Sequence, residues 1–389
     1  MKLRLPKMNS TTGHSVSRPK ASGKVLKRRG LFIGVAILFA VVLIIAGQTL
    51  LSPEKAFFLD AGGKEYSYAL AINDQGTVVG VRSKDKKKFA FLWTKQQGMQ
   101  PMDLGNNGVS WAIRINQSGV IVGGMEADDL NVRAFLWTRE DGAEDLVPLE
   151  EKESMACAVN DLGDVVGWRG KIFVEQDAFL WTRERGMQIL GTLGGRKSMA
   201  ADINNAGTVV GSAETKTEED HAFLWTEKTG MVDLGTLGGI NSEAWAINND
   251  GCVVGESNTD TGEPHAFLWT DKDGMIDLGT LGGNHSRASA INDLNQVVGW
   301  SSLKNGKTHA FFWSQETGMM DLGALSGDHS YAFDINNTGQ IVGRVEYDIP
   351  WWSIAWEWAG EKLDLSEKYR PSTSRHQRAV LWTALVPEK

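Results

Sequence analysis

The chain contains little cysteine and little proline, with two Cys and nine Pro in 389 residues. Two cysteines are too few for a disulfide-stapled scaffold or for the multi-cysteine zinc sites. The low proline content excludes collagen, and 42% hydrophobic residues exclude a disordered chain. The abundant residues are 44 Gly and 15 Trp. They predict many tight turns around an aromatic core.

Acidic residues are absent from the first 30 positions, which hold nine Lys or Arg. The whole chain has 40 basic and 48 acidic residues, so residues 31–389 carry 31 basic against 48 acidic side chains. An acidic body repels the phosphates of nucleic acids. The sequence therefore predicts that nucleic acid is not a partner.

One long hydrophobic run occurs, the uncharged residues 31–51. About 20 apolar residues span a bilayer as a helix. The run is longer than the apolar region of a cleaved signal peptide, and no clear small-residue cleavage site follows it. We therefore expect a single transmembrane signal anchor at 31–51. The positive-inside rule places the basic leader, residues 1–30, in the cytoplasm and residues 55–385 outside the cell membrane, in the periplasm or beyond.

A 44-residue repeat fills the rest of the chain. The motif A-F-L-W-T places its Phe at Phe91, Phe135, Phe179, Phe223, Phe267 and Phe311. The motif I-N-x-x-G-x-V-V-G places its Asn at Asn73, Asn116, Asn160, Asn204, Asn248, Asn292 and Asn336. The run G-M-x-D-L-G-T-L-G-G links one unit to the next and is clearest at 230–239 and 274–283.

Each unit contains four short apolar runs rich in Val, Ile, Phe and Trp and separated by turn residues, which is typical of strands. Four strands per 40–50 residues predict an all-β fold, a seven-bladed β-propeller of four-stranded blades. Seven units run from about 66 to 365, with an altered third strand at 355–358 in the last unit. Residues 57–60 and 378–383 are left over and would pair to close the ring. Eight blades, one of them degenerate and built from both ends, are the alternative.

Three units begin with His-Ala-Phe, at His221, His265 and His309. Together with D-L-G-T-L-G-G and I-N-x-x-G-x-V-V-G, these motifs resemble the HAF family of bacterial extracellular repeats over about 55–383. The resemblance implies export and a repeated β architecture, and it brings no activity or cofactor with it. The earlier units depart from the pattern, with Phe89, Arg133 and Asp177 in place of the His.

Two sets of side chains are candidate ligand-binding residues. Trp351, Trp352, Trp356 and Trp358 interrupt the repeat, and they either fill the junction left by a shortened unit or stack on a sugar or apolar ligand. His221, His265 and His309 are turn hydrogen-bond partners or, if they face the channel, metal ligands. Equivalent positions in adjacent blades lie on an arc, so we predict no metal site and no cofactor.

Other notable residues fit a structural role. The repeated Trp residues are predicted to lie in the core. Cys157 and Cys252 lie two units apart, too far for a disulfide, so we expect free thiols. The spacing of Asn258, Asp260 and Glu263 weakly resembles that of calcium ligands, but we expect these residues to form an ordinary turn.

No common catalytic motif, such as H-E-x-x-H or G-x-S-x-G, occurs in the sequence. The sequence therefore indicates a membrane-anchored extracytoplasmic binding or protein-interaction module rather than an enzyme. Its partner would be an envelope or cell-surface protein or glycan, bound by the variable loops after V-V-G. One alternative is a cell-surface hydrolase or lyase for glycan or peptide, whose site would be an off-repeat cluster of Asp, Glu or His at the propeller channel. The other is a purely structural envelope protein without a pocket.

Overall fold

A computed structural model shows the architecture and describes residues 56–59, 66–84, 87–105, 109–127, 131–146, 153–171, 175–347 and 376–383. The chain divides into two compact units, Met1–Ser52 and Pro53–Lys389, and every described residue belongs to the second. The predicted anchor and the four-Trp cluster therefore lie outside the described residues. Within the described ranges, no helix is long and apolar enough to cross a membrane.

Seven four-stranded antiparallel sheets make up the described fold, which confirms the seven-bladed propeller. The chain enters with β1 (Ala56–Phe58). Blade 1 contains β2 (Ser67–Ile72), β3 (Val78–Lys84), β4 (Lys87–Thr94) and β5 (Gly98–Pro101). Blade 2 contains β6 (Ser110–Ile115), β7 (Ile121–Glu126), β8 (Val132–Thr138) and β9 (Gly142–Asp145). Blade 3 contains β10 (Ser154–Val159), β11 (Val165–Lys171), β12 (Glu175–Thr182) and β13 (Gly186–Ile189).

The other blades repeat this plan. Blade 4 contains β14 (Gly194–Ile203), β15 (Val209–Thr215), β16 (Asp220–Thr226) and β17 (Gly230–Asp233). Blade 5 contains β18 (Gly238–Ile247), β19 (Val253–Thr259), β20 (Pro264–Thr270) and β21 (Gly274–Asp277). Blade 6 contains β22 (Gly282–Ile291), β23 (Val297–Leu303), β24 (Thr308–Ser314) and β25 (Gly318–Asp321). Blade 7 contains β26 (His329–Ile335), β27 (Ile341–Tyr347), β28 (His376–Trp382) and β1.

Blade 7 closes the ring with one strand from each end of the chain. Its order is β1-β28-β27-β26, and Phe57 pairs with Leu381 across the β1–β28 ladder. The two leftover segments do pair, as predicted. They complete the seventh blade rather than adding half of another, because β28 is the third strand that the sequence had placed at 355–358.

A β-bulge interrupts the first hairpin of every blade. In blade 5 it lies between Ala244 and Ala246, where β18 pairs with β19. The crowding that it creates explains the Gly of V-V-G: a Cβ on Gly255 would lie 1.9 Å from the Glu243 carbonyl oxygen. A bulge also redirects the side chains that follow it. In five of the seven blades, the residue one position beyond the bulged one lines a cavity on the propeller axis.

Neighbouring blades are joined by an apolar layer and by one repeated hydrogen bond. The core between blades 3 and 4, for example, packs Leu180 against Phe223 and Val209. A Ser in each first strand accepts a hydrogen bond from the Ala amide of the previous blade's third strand. These seven contacts span 2.8–3.0 Å and include Ala379 to Ser67 across the closure. Ring closure is therefore equivalent to every other blade junction.

Candidate functional site

The Asn of the I-N-x-x-G turn builds a closed hydrogen-bonded ring around the propeller axis. Each Asn side-chain amide donates to the main-chain carbonyl of the equivalent Asn in the next blade, at 2.9–3.3 Å. The side-chain oxygen accepts from the amide four residues later, as from Cys252 to Asn248 at 2.9 Å. The predicted turn residue thus has a second role, since it couples adjacent blades.

The next residue of each turn forms a second closed ring, which we call the rim. Each rim amide donates to the side-chain oxygen of the following blade's rim residue at 2.8–3.0 Å. The seven rim residues are Asp74, Gln117, Asp161, Asn205, Asn249, Asp293 and Asn337. The rim therefore presents three carboxylates and four carboxamides to solvent at one end of the channel.

Beneath the rim, the first strands line a cavity of about 160 Å³. The position just beyond the bulge is Ala in blades 1, 3, 5 and 6. In the other three blades it is Arg114, Asp202 and Asp334, which we call the axial cluster. These three side chains are 18%, 15% and 13% exposed, respectively. The bulge turns them toward one another across the channel, although they come from blades 2, 4 and 7.

The axial cluster is an ion-paired group with unused hydrogen-bonding capacity. Arg114 Nη1 lies 3.4 Å from Asp334 Oδ1, and Nη2 lies 3.9 Å from Asp202 Oδ1. Each carboxylate also accepts a main-chain amide, Ile72 to Asp334 at 2.9 Å and Ile247 to Asp202 at 3.0 Å. Within the described residues, the Arg114 guanidinium donates no hydrogen bond.

Burial dominates the protonation of this cluster. It raises the pKa of Asp334 to about 6, against the opposing effect of Arg114. Burial likewise raises the pKa of Asp202, again opposed by Arg114. Nearby Cys157 has its thiol pKa raised by burial to about 12, so it is protonated and is not a nucleophile at neutral pH. A carboxyl with a pKa near neutrality in a cavity is a feature of functional sites.

The three candidate histidines do not meet, because each pairs with an Asp of its own blade. His221, His265 and His309 place Nδ1 within 2.9–3.0 Å of both carboxylate oxygens of Asp233, Asp277 and Asp321. Burial raises the pKa of Asp321, but hydrogen bonds from His309 and the Gly323 amide outweigh it, so the pKa lies below its usual value. The described residues contain no group of three or more His, Cys, Asp or Glu that could hold a metal.

The blades that lack this His either keep the Asp with a different cation or change both positions. In blade 2, Arg133 replaces the His and keeps the Asp, with Nη1 3.6 Å from Asp145. In blade 3, Ile189 stands where the Asp would be, and Asp177 pairs instead with Arg169 at 3.7 Å. The matched changes indicate that the His–Asp pair secures the outer strand of a blade.

The remaining candidates have simple positions. Trp351, Trp352, Trp356 and Trp358 lie outside the described residues. Cys157 and Cys252 are free and half-buried, which confirms the absence of a disulfide. Asn258 donates from its side chain to the Gly262 carbonyl within a turn. Among the repeated Trp, Trp93, Trp225 and Trp382 are buried, whereas Trp137, Trp181, Trp269 and Trp313 are half-buried, so the predicted core position holds fully for three of the seven.

Reasoning from the sequence missed the axial cluster. The variable loops, where binding was expected, join second to third strands at the end of the propeller opposite the I-N-x-x-G turns. Aligning the seven repeats would have revealed one signal, because Arg114, Asp202 and Asp334 are the charged residues in an otherwise alanine column. The alignment of the repeats would not have shown that these three side chains meet in one cavity.

A family model described as "Protein of unknown function (DUF3466)" matches residues 59–149 and 241–353, just over half of the chain. The comparison with curated proteins finds no match.

The fold is similar to that of virginiamycin B lyase from Staphylococcus aureus, with a TM-score of 0.50 and 11% identity over 74% of this chain and 94% of that one. It is also similar to the β-propeller domain of the Trilobed protease from Pyrococcus furiosus, described as having an open velcro topology. That match has a TM-score of 0.50 and 10% identity over 72% of this chain and 91% of that one. At these identities the likeness shows the propeller fold alone.

Proposed function

We propose that this chain, which belongs to the DUF3466 family of proteins of unknown function, is a binding module that takes its ligand in the axial cavity. The observation that carries the proposal is the axial cluster. Three of the seven blades replace a buried Ala with a charged residue, and all three line the cavity. Burying charge is costly, and the four Ala blades form the same bulge without it. A purely structural role does not explain why three charged side chains are buried at this position.

The setting we propose is the outer side of a membrane. The support comes from the sequence, in which the apolar run 31–51 follows nine basic residues. A reporter enzyme fused after Lys389 tests this topology. We expect activity for a reporter that works outside the cytoplasm, and cytoplasmic activity would contradict the proposed orientation.

An enzyme acting on glycan or peptide at the channel is the second candidate, and the raised pKa of Asp334 favours it. The axial cluster supplies two off-repeat carboxylates, and both are engaged by Arg114 and by a main-chain amide. A general acid or base would have to leave those partners to act. Binding therefore fits the arrangement better.

The decisive experiment measures binding of the full chain, purified in detergent, to envelope glycans, peptides and divalent ions. The matched control is the triple variant R114A/D202A/D334A, which restores the residue present in the other four blades. We expect at least one class to bind the natural chain and to lose affinity for the triple variant. Equal binding to both would refute the axial site, and conversion of a bound glycan or peptide into product would select the enzyme.

A further inference from the structure

The axial cavity has a strong imbalance of charge. Among the residues that line it are five carboxylates and one guanidinium, namely Asp74, Asp161, Asp202, Asp293, Asp334 and Arg114. The six outer turns at the same end, 95–97, 139–141, 183–185, 227–229, 271–273 and 315–317, carry six basic and seven acidic residues. The negative charge is thus concentrated on the axis, where low-dielectric walls focus its field.

Arg114 adds a positively charged hydrogen-bond donor to this negatively charged cavity. Its guanidinium lies within the cavity wall, and within the described residues it donates no hydrogen bond. Because Arg114 lines the cavity, its guanidinium can donate hydrogen bonds to an oxygen acceptor on a bound ligand. The five carboxylates oppose an anion as that acceptor, and they favour a ligand of positive charge that carries a neutral oxygen.

A structural explanation competes with this one, in which Arg114 ties blades 2, 4 and 7 together across the channel. The blades are already joined by the Asn ring, the rim and the Ser contacts at every junction. The ion pairs of Arg114, at 3.4 and 3.9 Å, are also longer than the usual N–H···O hydrogen bond. Cross-linking is therefore a weak reason for burying three charges.

We propose that the cavity binds a protonated amine with a neutral oxygen acceptor on the neighbouring carbon. The ammonium lies among the carboxylates, and the oxygen accepts hydrogen bonds from Arg114. This inference rests on the proposed function and names its ligand class. The size agrees, since a cavity of about 150 Å³ in another protein holds one benzene molecule.

Four small probes of nearly equal size test the ammonium and the neutral oxygen acceptor separately. The probe 2-aminoethanol has both groups, n-propylamine lacks the oxygen, ethylene glycol lacks the charge, and glycolate reverses it. Binding to the full chain in detergent is measured by ligand-observed NMR at low ionic strength. We expect 2-aminoethanol to bind about ten-fold more tightly than ethylene glycol and measurably more tightly than n-propylamine, and glycolate to bind most weakly.

Two conservative variants locate the contacts. D334N keeps the side-chain shape and an acceptor for the Ile72 amide, and we expect about ten-fold weaker binding of both amines. R114Q retains a donor without the charge, and we expect the advantage of 2-aminoethanol over n-propylamine to shrink. D271N, in an exposed turn at the same end of the propeller, is the matched control and should change neither affinity.

Competition with the bound probe distinguishes two sources of the same chemistry, an amino sugar and an amino acid. D-glucosamine displacing 2-aminoethanol where D-glucose does not would identify an amino sugar, and displacement by L-serine amide would identify an amino-acid derivative. Equal binding of all four probes, or an unchanged D334N, would overturn the inference. A different result is that the amine probes do not bind, whereas another ligand class binds the natural chain and does not bind R114A/D202A/D334A. In that case the proposed ligand class is wrong and the proposed function stands. If no ligand binds, both are wrong.

Discussion

Removing the whole axial cluster should affect stability less than removing one member of it. In R114A/D202A/D334A, three buried charges are replaced by the residue that the other four blades carry at this position. Replacing a buried ion-pair group with well-packed apolar residues of similar volume is often neutral or stabilises by about 1–4 kcal/mol, and at this position Ala already packs in four blades. We therefore expect the free energy of unfolding at pH 7 to be unchanged or higher in the triple variant.

Arg114→Ala alone should have the opposite effect. It leaves Asp202 and Asp334, 15% and 13% exposed, without their counter-charge. Removing one partner of a buried pair costs about 3–5 kcal/mol. The single variant is then the least stable of the series at pH 7, and it recovers as the pH falls and both carboxyls take up protons.

Asp334 gives the stability of the natural chain one component of its pH dependence. Its pKa is 3.8 before burial and about 6 in the folded chain, so the folded state binds more protons between these values. The contribution of Asp334 to stability therefore falls as the pH rises through this window, by about 3 kcal/mol for a shift of about two units, and it is constant above it. Asp334→Ala removes this slope.

The assay is chemical denaturation of the full chain in detergent, followed by Trp fluorescence at pH 4 to 8. The difference between the natural chain and D334A cancels the titration of all other groups to first order. A triple variant as unstable as R114A would show that the cluster ties the blades together structurally. A difference curve that is flat between pH 4 and 6 would refute the raised pKa.

Three further predictions concern the repeat itself. Asn248→Ala removes the acceptor for the Cys252 amide and the donor to Asn292, and should cost about 1–3 kcal/mol in denaturation experiments; an unchanged stability would mean that water replaces both contacts. Gly255→Ala places a Cβ 1.9 Å from a carbonyl oxygen and should cost at least the 1–3 kcal/mol typical of overpacking, a loss that a stable, well-expressed variant would disprove. In blade 3, D177H combined with I189D should rebuild the His–Asp pair, giving a favourable coupling of about 0.5 kcal/mol or more in a double-mutant cycle; additive effects would show that the pair does not form.

The propeller itself could be predicted, because repetition makes the same local signals appear many times. The Phe of A-F-L-W-T is buried in all six regular copies, and the I-N-x-x-G turn has the same hydrogen bonds in every blade. The last blade was predicted less well. Residues 355–358 resembled a third strand in sequence, whereas β28 takes that place.

The candidate histidines illustrate the limit on predicting a site. His221, His265 and His309 were selected because they are polar and repeated, and repetition in a propeller indicates a contact that recurs in each blade rather than a single site. Their Asp partners lie only 12 residues away. The members of the axial cluster, in contrast, differ from the residue that the repeat has at their position, so a consensus motif does not include them.

The sequence by itself determined the strands and turns of the regular blades and favoured seven blades over eight, since the repeat depends on contacts within one 44-residue unit or between neighbouring units. Only the tertiary structure brought Arg114 to Asp202 and Asp334, which lie two and five repeats further along the chain. The bulge directs all three side chains inward, and the pairing of β1 with β28 closes the ring around them. Which off-repeat charges meet on the axis is therefore a property of the closed ring.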